Sequence, residues 1–166
     1  MALIVEIGAG LSNAESYCSE AFATAYHSVR ANSDWTLVID KEAALRKATD
    51  YLLQSYRNLW LGYRAVAGQA LDFPRSGVYL NDYSEPVLLA DNIVPIEVQN
   101  ACAELALKTY TDEELIVDTQ DNVVMETIGP LSVKYSDTSG DKYKVYSSVV
   151  LILKPYLKNN GTKVIR

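Results

Sequence analysis

The residue types that usually carry out catalysis are sparse in this chain, and their spacing does not form a recognisable active site. The single histidine, His27, follows Tyr26 without a nearby cysteine or carboxylate motif, so we interpret it as a surface or packing residue. Cys18 and Cys102 lack metal-ligand spacing and are expected to be buried, reduced thiols, with a disulfide as the less favoured alternative. The acidic run at 112–114 is expected to be a solvated helix end. The sequence therefore predicts no enzymatic activity, no cofactor and no metal.

A glycine-containing segment near the N-terminus, IGAGLSN, hints at a dinucleotide-binding loop. Such a loop needs a third glycine at the position that Asn13 occupies here, and it belongs to a strand–helix–strand unit. No such unit follows in the sequence. The match is therefore weak, and no nucleotide cofactor is predicted from it.

Aromatic residues alternate with arginines in the segment YRNLWLGYR, a combination that suits binding of single-stranded nucleic acid. Tyr56, Trp60 and Tyr63 would supply the stacking rings, and Arg57 and Arg64 would supply the cations. Helical spacing offers another interpretation, in which Tyr56 and Tyr63 continue a buried apolar stripe and the arginines flank a packed face. This core interpretation is favoured, and the 12 tyrosines of the chain also fit protein–protein contact.

Net charge argues against tight binding of nucleic acid. The formal charge is −6 at pH 7, yet the last nine residues, KNNGTKVIR, contain three basic residues and no acid. Without those three positive charges, the rest of the chain carries −9. A body this acidic repels phosphate backbones unless it contains a local basic groove.

The elements that must position these residues are mainly helical. Four helices are predicted, at about 19–31, 41–61, 95–110 and 146–157. A β-hairpin is predicted at about 123–136, where residues alternate in polarity on both sides of a Gly-Pro pair. The predicted fold class is mainly α: a small bundle of about four helices, with one β-hairpin before the last helix and a long ordered loop at 63–93.

Local signals predict the ends and faces of these helices. Asp40 is a predicted N-cap of the second helix, Gly62 is expected to end it, and Pro155 is expected to kink or shorten the last helix. Apolar stripes predict the buried faces of the first three helices. These are Phe22, Ala25, Tyr26 and Val29 in the first, Leu45, Ala48, Leu52, Tyr56, Leu59 and Tyr63 in the second, and Val98, Ala101, Cys102, Leu105 and Ala106 in the third.

One domain and one short arm are expected. A chain of 166 residues with 49% apolar residues can bury a core as a single domain, which we place at 1–157. The basic segment 158–166 is expected to be a flexible arm, with a frayed terminus that has no role as an equal alternative. No aliphatic run approaches the ~20 residues that a membrane span needs, and the N-terminus lacks the basic region of a secretory signal.

Five motifs resemble, in this order along the chain, those of a family of tailed-phage proteins. They read ALIVEIGAGLSNAESY, AYHSVRANSDW, EAALRKATDYL, QALDFPRSGV and VPIEVQNACAELAL, and the resemblance covers residues 2–157. The family often carries the label DnaT-like single-stranded-DNA-binding protein, after a primosome component. Its members resemble head–tail connector, or adaptor, proteins, and the segment ETIGPLSVKYS resembles the hairpin of phage neck adaptors.

The resemblance implies a structural virion protein of a bacteriophage: a head–tail connector, or head-completion protein, in the neck at the portal vertex. It implies a homo-oligomeric ring of about twelve copies, made in the host cytoplasm. This ring would bind the portal protein above and a tail terminator, a stopper or a tail-tube component below. Double-stranded DNA would pass through it during packaging and ejection, without contact to a membrane. The family label implies a single-stranded-DNA-binding protein instead, and the acidic body favours the connector.

Candidate contact residues follow from the connector interpretation. In QALDFPRSGV, Phe73 would wedge into the core, Pro74 would stiffen the loop and Gly77 would supply a turn, so that Arg75 is presented to a carboxylate of a neighbouring subunit. An equally weighted alternative is that Arg75 pairs within its own subunit. The subunit-interface candidates are Arg57, Arg64, Arg75, Ile128, Leu131 and Val133. The portal-docking candidates are Lys158, Lys163 and Arg166.

The chain departs from the family pattern at two places in the long loop. Phe73 stands where the family usually has tryptophan, and the segment YLNDYSEP is more elaborate than the common short connection. Neither departure changes the expected fold, but the second leaves the partner of the loop open. The loop itself is expected to be held in place by Phe73, Val78, Tyr79 and Leu80.

Overall fold

Four α-helices form the framework of the part of the chain that this computed structural model describes. They are α1 (Glu20–Val29), α2 (Lys41–Tyr56), α3 (Ile96–Thr111) and α4 (Ser147–Leu153). Short 3-10 helices lie at Ser33–Leu37 and Lys154–Tyr156. The described residues are 2–81, 84–111, 115, 125–128, 131–134 and 145–158, with the backbone alone described at 125–128 and 131–134. The fold is mainly α, as predicted.

Helix α3 lies at the centre of the core, because it packs against α1, α2 and α4. The predicted buried face of α3 is confirmed, with Val98, Ala101 and Leu105 fully excluded from water. Ala48 on α2 is buried as completely as Ala101 on α3, and small side chains at a helix contact let the two backbones approach. The long loop therefore connects two helices that are closely packed against each other.

Two helices begin at capping residues that satisfy otherwise free backbone N–H groups. The Ser19 hydroxyl accepts a hydrogen bond from the Phe22 N–H at 3.1 Å, at the start of α1. At the start of α2, Asp40 Oδ1 accepts from the Ala43 N–H at 2.8 Å, which confirms the predicted N-cap. At the other end of the chain, α4 stops just before Pro155, and this confirms the predicted shortening.

The predicted buried face of α1 is wrong by about one residue position. Tyr26 is buried as predicted, but Val29 is 85% exposed and Ala25 also faces water. The buried positions are instead Ala23, Tyr26 and His27. His27 turns inward because its Nε2 donates a hydrogen bond to the Ala103 carbonyl oxygen of α3 at 3.0 Å. A polar contact thus decides which face of α1 meets the core.

Helix α2 ends at Tyr56, one turn or more before the predicted end at about residue 61. The backbone beyond it pairs with the C-terminal segment instead, because the Lys158 N–H donates to the Leu59 carbonyl oxygen at 2.7 Å. Gly62 then turns the chain with a φ of +63°. A Cβ atom at this position would lie 2.3 Å from the Ser76 carbonyl oxygen, so the turn also depends on close backbone packing.

The connection between α2 and α3 contains two short antiparallel strand pairs. The strands are β1 (Tyr63–Arg64), β2 (Arg75–Ser76), β3 (Tyr79–Leu80) and β4 (Val87–Leu88), with β1 paired to β2 and β3 paired to β4. Phe73 and Val78 are fully buried, which confirms that they hold the loop in place. The same prediction is wrong for Tyr79, which is 54% exposed.

The predicted hairpin before the last helix is confirmed in its backbone. Strands β5 (Met125–Ile128) and β6 (Leu131–Lys134) pair antiparallel, with Ile128 opposite Leu131. The acidic run at 112–114 lies outside the described residues. Within the described part of the chain, none of the helices is long and apolar enough to cross a membrane.

Candidate interaction surface around Asp72

Asp72 lies in the middle of the long loop, and its carboxylate is almost completely buried. The side chain is 1% exposed, and Oδ2 accepts a hydrogen bond from Trp60 Nε1 at 3.2 Å. Oδ1 accepts from Arg64 Nε at 3.2 Å and from Arg64 Nη2 at 3.0 Å. The same oxygen lies 3.4 Å from Arg57 Nε. One buried carboxylate therefore orients two arginines, through charge-assisted contacts that are stronger than neutral ones.

Hydrogen bonds from side chains to the backbone fix the loop that presents Asp72. The Gln69 amide nitrogen donates to the carbonyl oxygens of Leu71 and Pro74, at 2.8 and 3.1 Å. The Tyr17 hydroxyl accepts from the Asp72 N–H at 2.9 Å. Burial, and secondarily the negative charge of Asp72, raises the pKa of Tyr17, so this hydroxyl stays neutral. The loop is thus ordered by polar contacts as well as by its apolar residues.

Phe73 forms the apolar anchor next to Asp72. Its ring is fully buried, with its centroid 5.1 Å from that of Trp60 and 6.2 Å from that of Tyr156. Both pairs are nearly perpendicular, at 85°, which is a favourable edge-to-face arrangement. The predicted wedge at Phe73 is confirmed.

Arg75 is not presented at the surface, contrary to the main prediction. The residue is 6% exposed, and its guanidinium donates to the carbonyl oxygens of Leu61, Gly62 and Asp72, at 2.7, 2.7 and 3.2 Å. Burial lowers the pKa of Arg75, and the nearby carboxylate of Asp72 opposes this effect. The convergence of three carbonyl oxygens offsets the cost of burying the cation. The alternative holds: Arg75 pairs within its own chain, with carbonyl oxygens as its partners.

Arg57 and Arg64 keep part of their side chains in water, in contrast to Arg75. Their side chains are 52% and 35% exposed. Lys158 lies near Arg57, since its Nζ donates to the carbonyl oxygen of the following residue, Asn58, at 3.2 Å. Tyr63, 80% exposed, precedes Arg64 in β1. We call Arg57, Tyr63, Arg64 and Lys158 the basic surface.

Formal charges make this surface positive within an acidic chain. The guanidinium groups of Arg57 and Arg64 contact the single carboxylate of Asp72, and that of Arg75 donates to the backbone carbonyl oxygen of the same residue, so this cluster has a formal charge of +2. Lys158 adds one further positive charge at the exposed edge, whereas the whole chain carries −6. The surface can therefore attract an anionic group, although Asp72 already uses part of the hydrogen-bonding capacity of Arg64.

The aromatic residues of YRNLWLGYR divide between the core and this surface. Tyr56 is 5% exposed, so the core interpretation is confirmed for this residue. Trp60, which that interpretation did not include, is also fully buried. The interpretation is wrong for Tyr63, because α2 ends at Tyr56 and Tyr63 belongs to a strand that faces water. A row of three stacking rings is therefore not present in this segment.

The remaining candidates lie partly or wholly beyond what the structure describes. Ile128, Leu131 and Val133 belong to β5 and β6, whose side chains are not described. Lys163 and Arg166 lie outside the described residues. Among the sequence-predicted contact residues, the structure thus brings together Arg57, Arg64 and Lys158.

A family model described as "DnaT-like ssDNA binding protein" matches residues 1–166, the whole chain. The chain belongs to this family. No curated protein and no solved structure matches it. Family membership, which the five motifs predicted, is therefore confirmed.

His27 of this family member is a packing residue. Its ring is 1% exposed, its Nε2 donates to Ala103, and its Nδ1 accepts from the Asn32 side-chain amide at 3.1 Å. Both nitrogens are thereby satisfied by a neutral ring. Burial lowers the pKa of His27; the hydrogen bond to Ala103 and the charge of Glu104 oppose this shift, and Arg30 adds to it.

The glycine-containing loop of this family member binds its own carboxylate. Glu6 is 2% exposed and accepts hydrogen bonds from the N–H groups of Gly8, Gly10 and Leu11, at 2.8, 2.9 and 2.7 Å. Successive backbone N–H groups of this kind form an anion-binding nest. The sequence interpretation missed the role of Glu6, although an acid directly before a Gly-x-Gly segment was the available signal.

The two cysteines are free and buried, as predicted. A hydrogen bond with Cys102 and burial raise the pKa of Cys18. Thr49 Oγ1 lies 3.5 Å from Cys102 Sγ inside the α2–α3 contact. Among the described residues, no three His, Cys, Asp or Glu side chains are arranged to hold a metal ion.

Proposed function

We propose that this protein is a structural component of a phage neck: a head–tail connector that forms a ring on the portal. The ring lets double-stranded DNA pass and binds the next neck or tail protein below. The proposal is supported by the order of the five motifs, and by surfaces suited to contact with other proteins. One such surface contains Leu37 and Ile39, two neighbouring apolar residues that are 54% and 101% exposed.

One observation carries the choice between the two functions. The aromatic rings of Tyr56 and Trp60, which a single-strand binder would use for stacking, are inside the core, and Trp60 is hydrogen-bonded to Asp72. Asp72 also neutralises part of the positive charge of Arg57 and Arg64. A surface built in this way suits recognition of a protein partner, where isolated tyrosine and arginine residues are enriched.

The negative charge of the chain also fits a conduit for DNA. Each copy carries −6, so a ring multiplies a charge that repels phosphate groups. Weak attachment to the walls of a channel favours the passage of a duplex.

Binding of single-stranded DNA is the second candidate function. The description of the family favours it, and so does the exposed ring of Tyr63, the residue that precedes Arg64 in β1. A single exposed ring and a partly neutralised arginine pair predict weak binding that salt removes.

One experiment separates the two functions. Purified protein is mixed with its portal and imaged by electron microscopy, and in parallel it is titrated with a fluorescent single-stranded oligonucleotide at moderate salt. We expect a ring of density on the portal and no anisotropy change at micromolar protein concentration. Tight oligonucleotide binding without a ring would overturn the connector and support the second candidate.

A further inference from the structure

The N-terminal end of α2 carries an exposed surface that is both acidic and apolar. It consists of Asp34, Leu37, Ile39 and Asp40, which we call the acidic surface. Ile39 is fully exposed and Leu37 is 54% exposed, although neighbouring Trp35 and Val38 are buried. Adjacent exposed apolar residues flanked by charges are typical of a site of protein contact.

Neighbouring cations cancel only part of the charge of the acidic surface. Lys41 turns back toward the domain, with its Nζ 3.4 Å from the Val38 carbonyl oxygen and 5.8 Å from the centre of the Trp35 ring. Glu42, the next acid along the chain, is paired with Arg46 at 3.4 Å. The outward charge at this end of α2 is therefore negative.

The C-terminal end of α2 carries the basic surface, with the opposite character. Arg57 is the residue that follows the helix, and Tyr63 and Arg64 come directly after the Gly62 turn. The 16 residues of α2 span about 24 Å at 1.5 Å per residue. The two surfaces of one chain are thus too far apart to contact each other.

We propose that the acidic surface of one copy docks on the basic surface of the next copy, in a head-to-tail contact. Ile39 packs against the ring of Tyr63, while Asp34 and Asp40 face Arg57. The inference rests on the proposed function and deepens it, because a ring requires a heterologous contact between two different surfaces. The partner is a second copy of this chain, which supplies both surfaces.

Charge complementarity favours a second copy over nucleic acid as the partner. Copies with a net charge of −6 repel one another at random orientations, so association depends on the orientation that brings opposite surfaces together. Nucleic acid would use only the basic surface and would leave Ile39 and Leu37 in water. A second copy uses both ends of α2.

Crosslinking tests the head-to-tail geometry. Thr36→Cys places an exposed thiol in the acidic surface, and Asn58→Cys places one beside Arg57, without changing the proposed contact residues. Cys18 and Cys102, 1% and 0% exposed, are shielded from a maleimide reagent. With a short bis-maleimide and with or without portal, we expect the double variant to give a ladder of covalent oligomers. A mixture of the two single variants should give dimers only.

Two outcomes would overturn the proposal. Dimers formed by one single variant alone would show a symmetric contact, and absence of a ladder both with and without portal would show no contact at all.

A matched pair of charge reversals tests the electrostatic part. Arg57→Glu changes the basic surface, and Lys47→Glu makes the same charge change at an exposed position inside α2. We expect Arg57→Glu to reduce the yield of crosslinked oligomers at least tenfold and Lys47→Glu to leave it unchanged. Tyr63→Ser serves as a second variant that leaves the partners of Asp72 in place, and it should also reduce the yield. Equal yields from all variants would contradict the proposal.

The same samples separate this inference from the proposed function. Rings on the portal without a ladder of crosslinked oligomers would support the connector function and refute the proposed contact between the two ends of α2. A ladder without rings on the portal would establish the contact and refute the connector. A third outcome is that Arg57→Glu abolishes oligonucleotide binding but leaves the yield of crosslinked oligomers unchanged. The basic surface would then bind phosphate groups, and the proposed contact would be refuted.

Discussion

The carboxylate of Asp72 accepts hydrogen bonds from Trp60 and Arg64, two residues of a segment whose composition also fits nucleic-acid stacking. Its burial changes what these residues do. Trp60 becomes a core residue with a satisfied N–H group, and Arg64 becomes an oriented cation at the edge of the basic surface. The same residue types, exposed and unpaired, would have formed a different site.

Removing the Asp72 carboxylate should destabilise the protein strongly. Asp72→Ala leaves the buried Trp60 N–H and the guanidinium of Arg64 without their acceptor, so we expect the free energy of unfolding to fall by about 3 kcal/mol. Asp72→Asn keeps one acceptor oxygen and should cost less. Urea unfolding measures both, with the exposed Asp91→Ala as a control expected to change stability by about 0.5 kcal/mol or less. Equal effects of Asp72→Ala and Asp91→Ala would show that the cluster is not a structural centre.

Protonation of His27 should make stability depend on pH. Because burial lowers its pKa below the unfolded value of about 6.5, the unfolded chain takes up a proton first as the pH falls. Stability from this group is complete above that value and is lost as the pH falls toward the folded pKa. Urea unfolding at pH 7.5 and 5.5 should show a loss that is smaller in His27→Gln. An identical loss in both proteins would assign the pH dependence to other groups.

Sequence reasoning at the level of residues succeeded for a local helix cap and for an aromatic side chain that only has to be buried. Asp40 caps the helix that it precedes, and Phe73 enters the core beside its own proline, as predicted. Arg75 and Glu6 were misjudged or missed because their partners are backbone groups set by the folded loops. Backbone carbonyl groups are present at every residue and N–H groups at every residue except proline, so the sequence does not show where they converge.

At the scale of elements, the turn at Gly62 separates α2 from the strand that carries Tyr63 and Arg64. Helical periodicity continues through this segment in the sequence, and it predicts a longer helix than the one observed. The observed end depends on pairing of residues 59–61 with residues 156–158, which are about a hundred positions away along the chain. Contacts at such separation leave no local pattern, whereas the ends of α1 and α4 follow from nearby residues.

Replacement by alanine should destabilise the protein more at Gly62 than at Gly77, although the two glycines have similar backbone angles. Gly62 and Gly77 have φ values of +63° and +69°, but only Gly62 lies against another backbone, at the Ser76 carbonyl. Gly77→Ala should cost about 1 kcal/mol of unfolding free energy through its left-handed conformation alone. Gly62→Ala should cost about 2 kcal/mol more, because the chain must also shift. Thermal or urea unfolding of the two variants gives the comparison, and equal costs would contradict the packing argument.

At the scale of the whole molecule, the basic arm predicted at 158–166 begins one residue later, because Lys158 is hydrogen-bonded to Leu59 and Asn58 of the body. We propose that residues 159–166 act as the arm that docks on the portal. Removing them leaves Lys158 and its hydrogen bond to Leu59 in place. We expect the truncated chain to unfold at the same urea concentration as the full chain and to bind the portal at least tenfold more weakly, measured by cosedimentation. Replacing Lys163 and Arg166 by glutamine in the full-length chain is the matched control for charge. Unchanged portal binding by the truncated chain would show that the arm does not dock on the portal.

Lys158 also fixes where the polypeptide leaves the described body: next to Asn58 and Leu59, at the same end of α2 as Arg57. A purification handle fused after Arg166 would begin eight residues beyond this exit. Such a fusion would interfere sterically with the proposed contact to a second subunit. The result would resemble an assembly defect. The opposite terminus offers no better place, because the Ile4 N–H donates to Glu15, which pairs with Arg46 and so lies beside Glu42 near the acidic surface. Handles should therefore be cleaved off before an assembly assay.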